Sequence, residues 1–308
     1  MPLHSILPHT LINGLPINPK QAERWCAYLE TGMILYFPQT PLAIPRMDIE
    51  FLLTRHQITG RLHGNIVYKP AHDRLRGVDH KQATPEDIER LRVIMRRYSA
   101  GVVKFLSGFL APYQRRWLPD YASYSPIDEA NRVLPQRHRN NLLHIDAFPT
   151  RPTRGWRILR FFSNIHPSKS RDWVVGEPFP RILGAFWPTI LATPRSDGGA
   201  VCAARRFAEI TRVADLVPSL KRTPYDRFML KLHNAMKQDA EFQRLCAKES
   251  LQFAPGSSWM VYTETIPHAV QAGQYALEQT LLVDPAATVT PDSAPLAILE
   301  QLTGAKLA

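Results

Sequence analysis

The residues with chemistry to offer gather at Asn140-Asn141-Leu142-Leu143-His144-Ile145-Asp146-Ala147-Phe148. Side chains two apart on an extended strand point to the same face, so His144 and Asp146 can grip one ion together. A second histidine from elsewhere would complete the two-histidine, one-carboxylate face that suits non-haem Fe(II) and leaves positions open for substrate and oxygen. With 11 His and 27 acidic residues among 308, chance supplies about one His-x-acid pair, and one is found. The pair draws its weight from its surroundings.

The partner those surroundings offer is His268, which follows Pro267 at a strand end, 122 residues after Asp146. Leu251 to Gly273 reads as strand, Pro255-Gly256 turn, strand, histidine and Gly273 turn, with a further strand over Tyr275–Val283. His138, His166 and His233 have no partner spacing and stay unassigned.

Other elements must position these groups. Asn18-Pro19 opens a helix bearing Ala22, Trp25, Cys26 and Leu29 on one face and stopping near Gly32. Met33–Pro38 is a short apolar strand, and strands or irregular segments are expected around Ile49–Leu53 and Gly64–Tyr68. Thr84-Pro85-Glu86-Asp87 starts a helix with a threonine cap and acids at its positive end. Its apolar stripe runs from Ile88 to Phe105, with a bend expected near Gly101 and an end before Pro112. Arg90, Arg92, Arg96 and Arg97 lie mostly off that stripe, as a solvated basic face. Tyr113 to Pro135 is aromatic and irregular, a loop suited to wall a pocket. A strand over Trp156–Ile165 follows the His-x-Asp segment. From Ser168 to about Glu249 the composition turns helical, with Thr223-Pro224 capping a helix that runs toward Lys248. A short helix is expected over Pro295–Leu302.

The chain has 44% apolar residues and a mean hydropathy of −0.23, enough to bury a sizeable core. Cys26, Cys202 and Cys246 are scattered, with no CxxC spacing, which argues against a disulfide framework and a zinc knuckle and fits a reducing compartment. Met1-Pro2-Leu3-His4-Ser5 lacks the basic start and apolar run of a signal peptide, so a cytoplasmic location is expected. No stretch approaches the roughly 20 apolar residues that span a bilayer. A net charge of +11 favours an acidic partner. The arginine pairs are dispersed and no nucleic-acid-binding pattern occurs, so that partner is not expected to be nucleic acid.

His144-x-Asp146, a long gap and then Pro267-His268 with Gly273 five residues on resemble the Fe(II)/2-oxoglutarate-dependent oxygenases. Within that superfamily the Leu143–Phe148 segment, its arginine-rich following strand and the Trp/Tyr-rich meander before Pro267-His268 look most like the Kdo hydroxylases. Those enzymes oxidise carbon 3 of 3-deoxy-D-manno-oct-2-ulosonic acid (Kdo) in lipopolysaccharide, and the resemblance spans nearly the whole chain. It implies a mainly β fold with helices, a double-stranded β-helix (jelly-roll, cupin-like) core with a helical insertion and flanking helices. The expected organisation is a single domain over 1–308, with the core at about 113–167 and 250–284. An N-terminal flank would cover 1–112 and the insertion 168–249.

The resemblance further implies that His144, Asp146 and His268 hold Fe(II), with 2-oxoglutarate and O2 at the remaining positions. Many family members grip the far carboxylate of 2-oxoglutarate with an arginine on the strand after the distal histidine. Residues 271–283 contain no Arg or Lys. A second arrangement uses the strand after His-x-Asp, where Arg157 and Arg160 lie on opposite faces. Parity alone does not choose between them. Arg160 is preferred because it sits deeper, where a bidentate clamp is protected. Arg171 and Trp173, on an adjoining loop, are assigned to substrate or cosubstrate.

The implied substrate is Kdo-lipid A or a related acidic lipid-linked sugar, met at an anionic membrane surface on the cytoplasmic face of the inner membrane. The apolar segment Phe179–Leu191 could lie at that interface with Trp187 at headgroup depth, or pack onto the β-helix as core. The competing readings are a 2-oxoglutarate hydroxylase of another small molecule or a protein side chain, and a non-catalytic β-barrel binding protein.

Overall fold

The computed structural model describes residues 18–55, 65–132, 134–192 and 222–308. Its first half contains α1 (Pro19–Glu30), β1 (Leu35–Phe37), α2 (Arg46–Leu53), β2 (Ile66–Lys69), β3 (Arg74–Arg76), α3 (Pro85–Phe109), β4 (Trp117–Ser125) and β5 (Arg157–Asn164). There follow β6 (Arg171–Gly176), α4 (Phe179–Ala192), α5 (Pro224–Gln238) and α6 (Ala240–Leu245). The chain closes with β7 (Lys248–Phe253), β8 (Ser258–Tyr262), β9 (His268–Ala272), β10 (Ala276–Val283) and α7 (Pro295–Thr303). Residues 1–17 and 193–221, and with them the signal-peptide reading and Cys202, lie outside the described residues.

Local signals start the helices. Asn18 accepts from the Gln21 N–H at 2.8 Å, and Thr84 with Asp87, then Thr223 with Asp226, form reciprocal capping boxes. The strands make two antiparallel sheets, one in the order β1-β8-β5-β10-β4-β2-β3 and one in the order β7-β6-β9. On one side of the larger sheet Leu159, Phe161, Leu277 and Leu281 meet Leu91, Ile94, Tyr98, Val102 and Leu106 of α3. On the other side Phe162, Trp259 and Val261 meet Trp173, Val175 and Phe253 of the smaller sheet. The stacked Phe253 and Trp259 rings lie 3.9 Å apart at the centre of that sandwich. Each such side chain contributes roughly 1.5–3 kcal/mol on burial. The expected jelly-roll core is therefore the observed one.

Several expectations change. Ile49–Leu53 is helical: Phe51 and Leu52 bury on one face of α2, and a short apolar run does not distinguish that from a strand. α3 passes through Gly101 unbroken, because a buried stripe from Leu91 to Phe109 outweighs the ~1 kcal/mol glycine penalty. Its arginines are paired rather than merely solvated: Arg92 and Arg96 with Asp73, Arg97 with Asp48. The stretch read as irregular after Tyr113 holds β4, whose Pro119 falls at the register shift opposite Leu281, where a missing N–H is tolerated. β6 occupies the start of the segment read as a helical insertion and is the central strand of the smaller sheet, and β1, β2 and β3 bring the N-terminal flank into the larger sheet. α4 turns Phe179, Ile182, Leu183, Phe186 and Ile190 onto Met229, Leu232 and Met236 of α5. The half-buried Trp187 ring lies 5.9 Å from Phe228, so the apolar side of this segment is core.

Candidate metal centre and its cavity

The two ligand segments are tied to each other through their backbones. The His144 N–H donates to the His268 carbonyl at 3.1 Å, and the His268 N–H returns to the His144 carbonyl at 2.9 Å. This single antiparallel bridge replaces the regular strand expected over 140–148. The Asp146 N–H donates to the Thr263 carbonyl at 2.9 Å. Ile145, between the two candidate ligands, packs the opposite way into the α4–α5 core, so the extended period of two holds. One potential ligand atom from each of His144, Asp146 and His268 falls within 4.8 Å of the others, all buried.

The protonation states suit a cation. Nδ1 of His144 lies 2.7 Å from the Leu142 carbonyl, and Nδ1 of His268 lies 3.0 Å from the Ile266 carbonyl. A carbonyl only accepts, so each neutral ring carries its proton on Nδ1 and keeps the Nε2 lone pair. Burial pushes His144 well below the usual histidine range, aided by Lys237 and the other imidazoles, and lowers His268 too. Burial alone would raise Asp146, but the Arg160 guanidinium beside it outweighs this and holds its carboxyl well below the usual range. Neutral imidazoles and an ionised carboxylate are what a divalent metal requires.

The Asp146 oxygens are divided. Oδ1 lies 3.8 Å from His144 Nε2, while Oδ2 accepts from Arg160 at 2.5 Å. Arg160 Nε also donates to Glu278 at 2.9 Å. Behind the cluster, the Trp173 ring stacks on His268 at 5.2 Å. Gly273 makes the tight turn after β9 at φ +121°, where a Cβ would stand 2.9 Å from the Arg171 backbone.

A cavity of about 410 Å³ opens over His144 and Asp146. The larger sheet walls it with Tyr121, Ser123, Arg160, Glu278 and Thr280, and the other side comes from His144, from residues 146–151 and from His233, Asn234 and Lys237 of α5. Arg160 faces this cavity. Arg157 does not: it is buried on the opposite face, donating to Glu264 at 2.5 Å and to Thr265 at 2.9 Å, over the Tyr262 ring. Arg171 and Trp173 lie on β6 rather than on a loop, and neither lines the cavity. Arg171 donates to the Gly273 carbonyl at 3.0 Å, and Trp173 supports His268 from behind.

Sequence reasoning missed Arg151, His233, Asn234 and Lys237 of the wall. Arg151 pairs with Asp120 and stacks over Tyr121 and Phe148. His233 Nδ1 lies 2.6 Å from the Ile145 carbonyl, and burial lowers its pKa to about 4. Lys237 is buried, with its pKa lowered by desolvation to about 8. The one available signal was the i, i+1, i+4 spacing of His233, Asn234 and Lys237 on a capped helix, which a solvated polar stripe shares.

A jelly-roll that groups two buried histidines and a carboxylate beside a cavity, with His144 and Asp146 lining it, has the architecture of the non-haem Fe(II), 2-oxoglutarate-dependent dioxygenases. The sequence model of the 3-deoxy-D-manno-oct-2-ulosonic acid (Kdo) hydroxylases matches residues 14–306. The apo structure of the Kdo hydroxylase KdoO, a non-haem Fe(II) α-ketoglutarate-dependent dioxygenase, is 32% identical with a TM-score of 0.82, covering 95% of this chain and 93% of KdoO. KdoO in complex with α-ketoglutarate and Fe(III) gives 32% and 0.81, covering 96% and 94%. KdoO with cobalt(II) gives 32% and 0.83, covering 95% and 93%. Among curated proteins none matches. The chain belongs to the Kdo hydroxylase family.

Proposed function

We propose that this enzyme hydroxylates carbon 3 of a Kdo residue in Kdo-lipid A, with His144, Asp146 and His268 holding Fe(II). Bound there, the iron with 2-oxoglutarate and O2 supplies the oxidant, consuming the cosubstrate to succinate and CO2 as one hydroxyl is delivered. The protein's part is to fix the ligands, orient the sugar and exclude water. The observation that carries this reading is the charge of the cavity. Among the described residues, four cations line the cavity, Arg137, Arg151, Arg160 and Lys237, and three carboxylates lie at or beside them, Asp120, Asp146 and Glu278. A divalent ion then leaves a clear surplus of positive charge, which suits the dianion 2-oxoglutarate together with an acidic sugar. Arg160 spends three of its five N–H groups on Asp146 and Glu278 and keeps two for the cosubstrate. Succinate release, followed with and without Kdo-lipid A, tests the function. Fe(II)-dependent release stimulated by the lipid, with a product heavier by one oxygen, is expected. Release that ignores the lipid, or an unmodified lipid, overturns the substrate.

The +11 charge supports peripheral contact with an anionic membrane, each basic residue near the surface contributing about 1 kcal/mol at most. Among the described residues no helix is long and apolar enough to cross a bilayer. With the apolar face of α4 buried, the contact proposed here is electrostatic, at the cytoplasmic face of the inner membrane. The protein should sediment with anionic vesicles at low salt and be released at high salt. Trp187→Ser should lower stability and leave vesicle binding unchanged. Failure to bind anionic vesicles at low salt removes the membrane contact.

A further inference from the structure

Among the described residues two cavity cations, Arg137 and Lys237, have no carboxylate partner, and of these Lys237 is the buried one. It lies in the last turn of α5 and is 3% exposed. Among the described residues its Nζ has one partner, the Arg137 carbonyl at 3.3 Å. Arg160 and Arg151, by contrast, each have carboxylates. An ammonium carries three donors, and burying it with one long contact to a neutral carbonyl is costly unless an anion completes its shell. A lysine near a helix C-terminus is favoured by the helix dipole, but that benefit does not require burial. Here Lys237 instead lines the cavity that His144 and Asp146 share.

We infer that Lys237 binds a carboxylate of the molecules that fill this cavity, a contact supplied by a helix and not by the sheet. The inference rests on the proposed function, which supplies two such carboxylates: the far end of 2-oxoglutarate and the acid group of the sugar. Either would lie against an ammonium that burial otherwise drives toward deprotonation.

Two variants separate charge from architecture. Lys237→Gln keeps a donor for the Arg137 carbonyl and removes the charge, while Lys237→Arg keeps the charge. The 2-oxoglutarate dissociation constant is read without the sugar, on anaerobic metal-loaded protein, and the KM for Kdo-lipid A at saturating 2-oxoglutarate. Lys237→Gln should raise one of these at least tenfold, and Lys237→Arg should recover most of the loss. Movement of the first constant assigns the cosubstrate, and of the second the sugar. Both constants within twofold of wild type, with an unchanged melting temperature, overturn the inference. If Lys237→Gln does not fold, the near-isosteric Lys237→Met is read against the same limits. Wild-type protein that binds metal but neither ligand defeats the proposed function itself, and the inference with it.

Discussion

His144→Ala, Asp146→Ala and His268→Ala each lose Fe(II)-dependent succinate release, by more than the 10–100-fold that removing a ligand's hydrogen-bond partner costs. Each change takes away one of three ligand atoms grouped within 4.8 Å. The main-chain bridge between His144 and His268 survives, because both of its hydrogen bonds are backbone to backbone. The far-ultraviolet spectrum should therefore remain that of a folded β-rich protein, with metal content falling in step with activity. Asp146→Ala carries an added penalty, since Arg160 Nη1 loses its acceptor. Asp146→Asn keeps the shape and isolates the loss of charge. Wild-type-like turnover in any two of the three alanine variants would sink the assignment.

The parts of this site written in neighbouring residues were legible beforehand. His144 and Asp146 share a face because extended backbone alternates, and Thr84, Thr223 and Asn18 announce helix starts through side chains that act within three residues. The succession of β7, β8, β9 and β10 is marked by Pro255-Gly256 and Gly273. What stayed hidden depends on contacts between distant segments. Arg157 and Arg160 differ only in which face of β5 they occupy, and that face acquires meaning once α3 covers one side of the sheet and the cavity opens on the other. Trp173 reads as a loop aromatic suited to substrate or cosubstrate until β6 is placed between β7 and β9. His233 and Lys237 sit on a polar stripe of α5 that would look the same facing water. Their role comes from the packing of α4 and α7 around the apolar stripe of that helix, which turns the polar one inward.

The separation of Arg157 from Arg160 carries the second large effect, on stability. Glu264→Ala should destabilise the fold by about 3–5 kcal/mol, the cost of stranding a buried charge by deleting its partner. Arg157 and Glu264 are each 1% exposed, so water cannot replace the lost carboxylate. Thr265 and the Tyr262 ring would be left as the remaining company of the guanidinium. The Ile158 N–H, which donates to the same carboxylate at 3.1 Å, would lose its acceptor as well. Denaturant midpoints at constant slope measure the loss. The double change Arg157→Met with Glu264→Leu should recover most of it, because an apolar pair removes the desolvation penalty together with the attraction. That double variant should bind 2-oxoglutarate as wild type does. Arg160→Ala should show the reverse pattern. Its guanidinium faces the cavity, so the midpoint shifts less while 2-oxoglutarate binding weakens by about 2 kcal/mol or more, as when one partner of a buried charge pair is truncated. If instead the Arg157 variant loses 2-oxoglutarate and Arg160→Ala keeps it, the cosubstrate lies on the other face of β5.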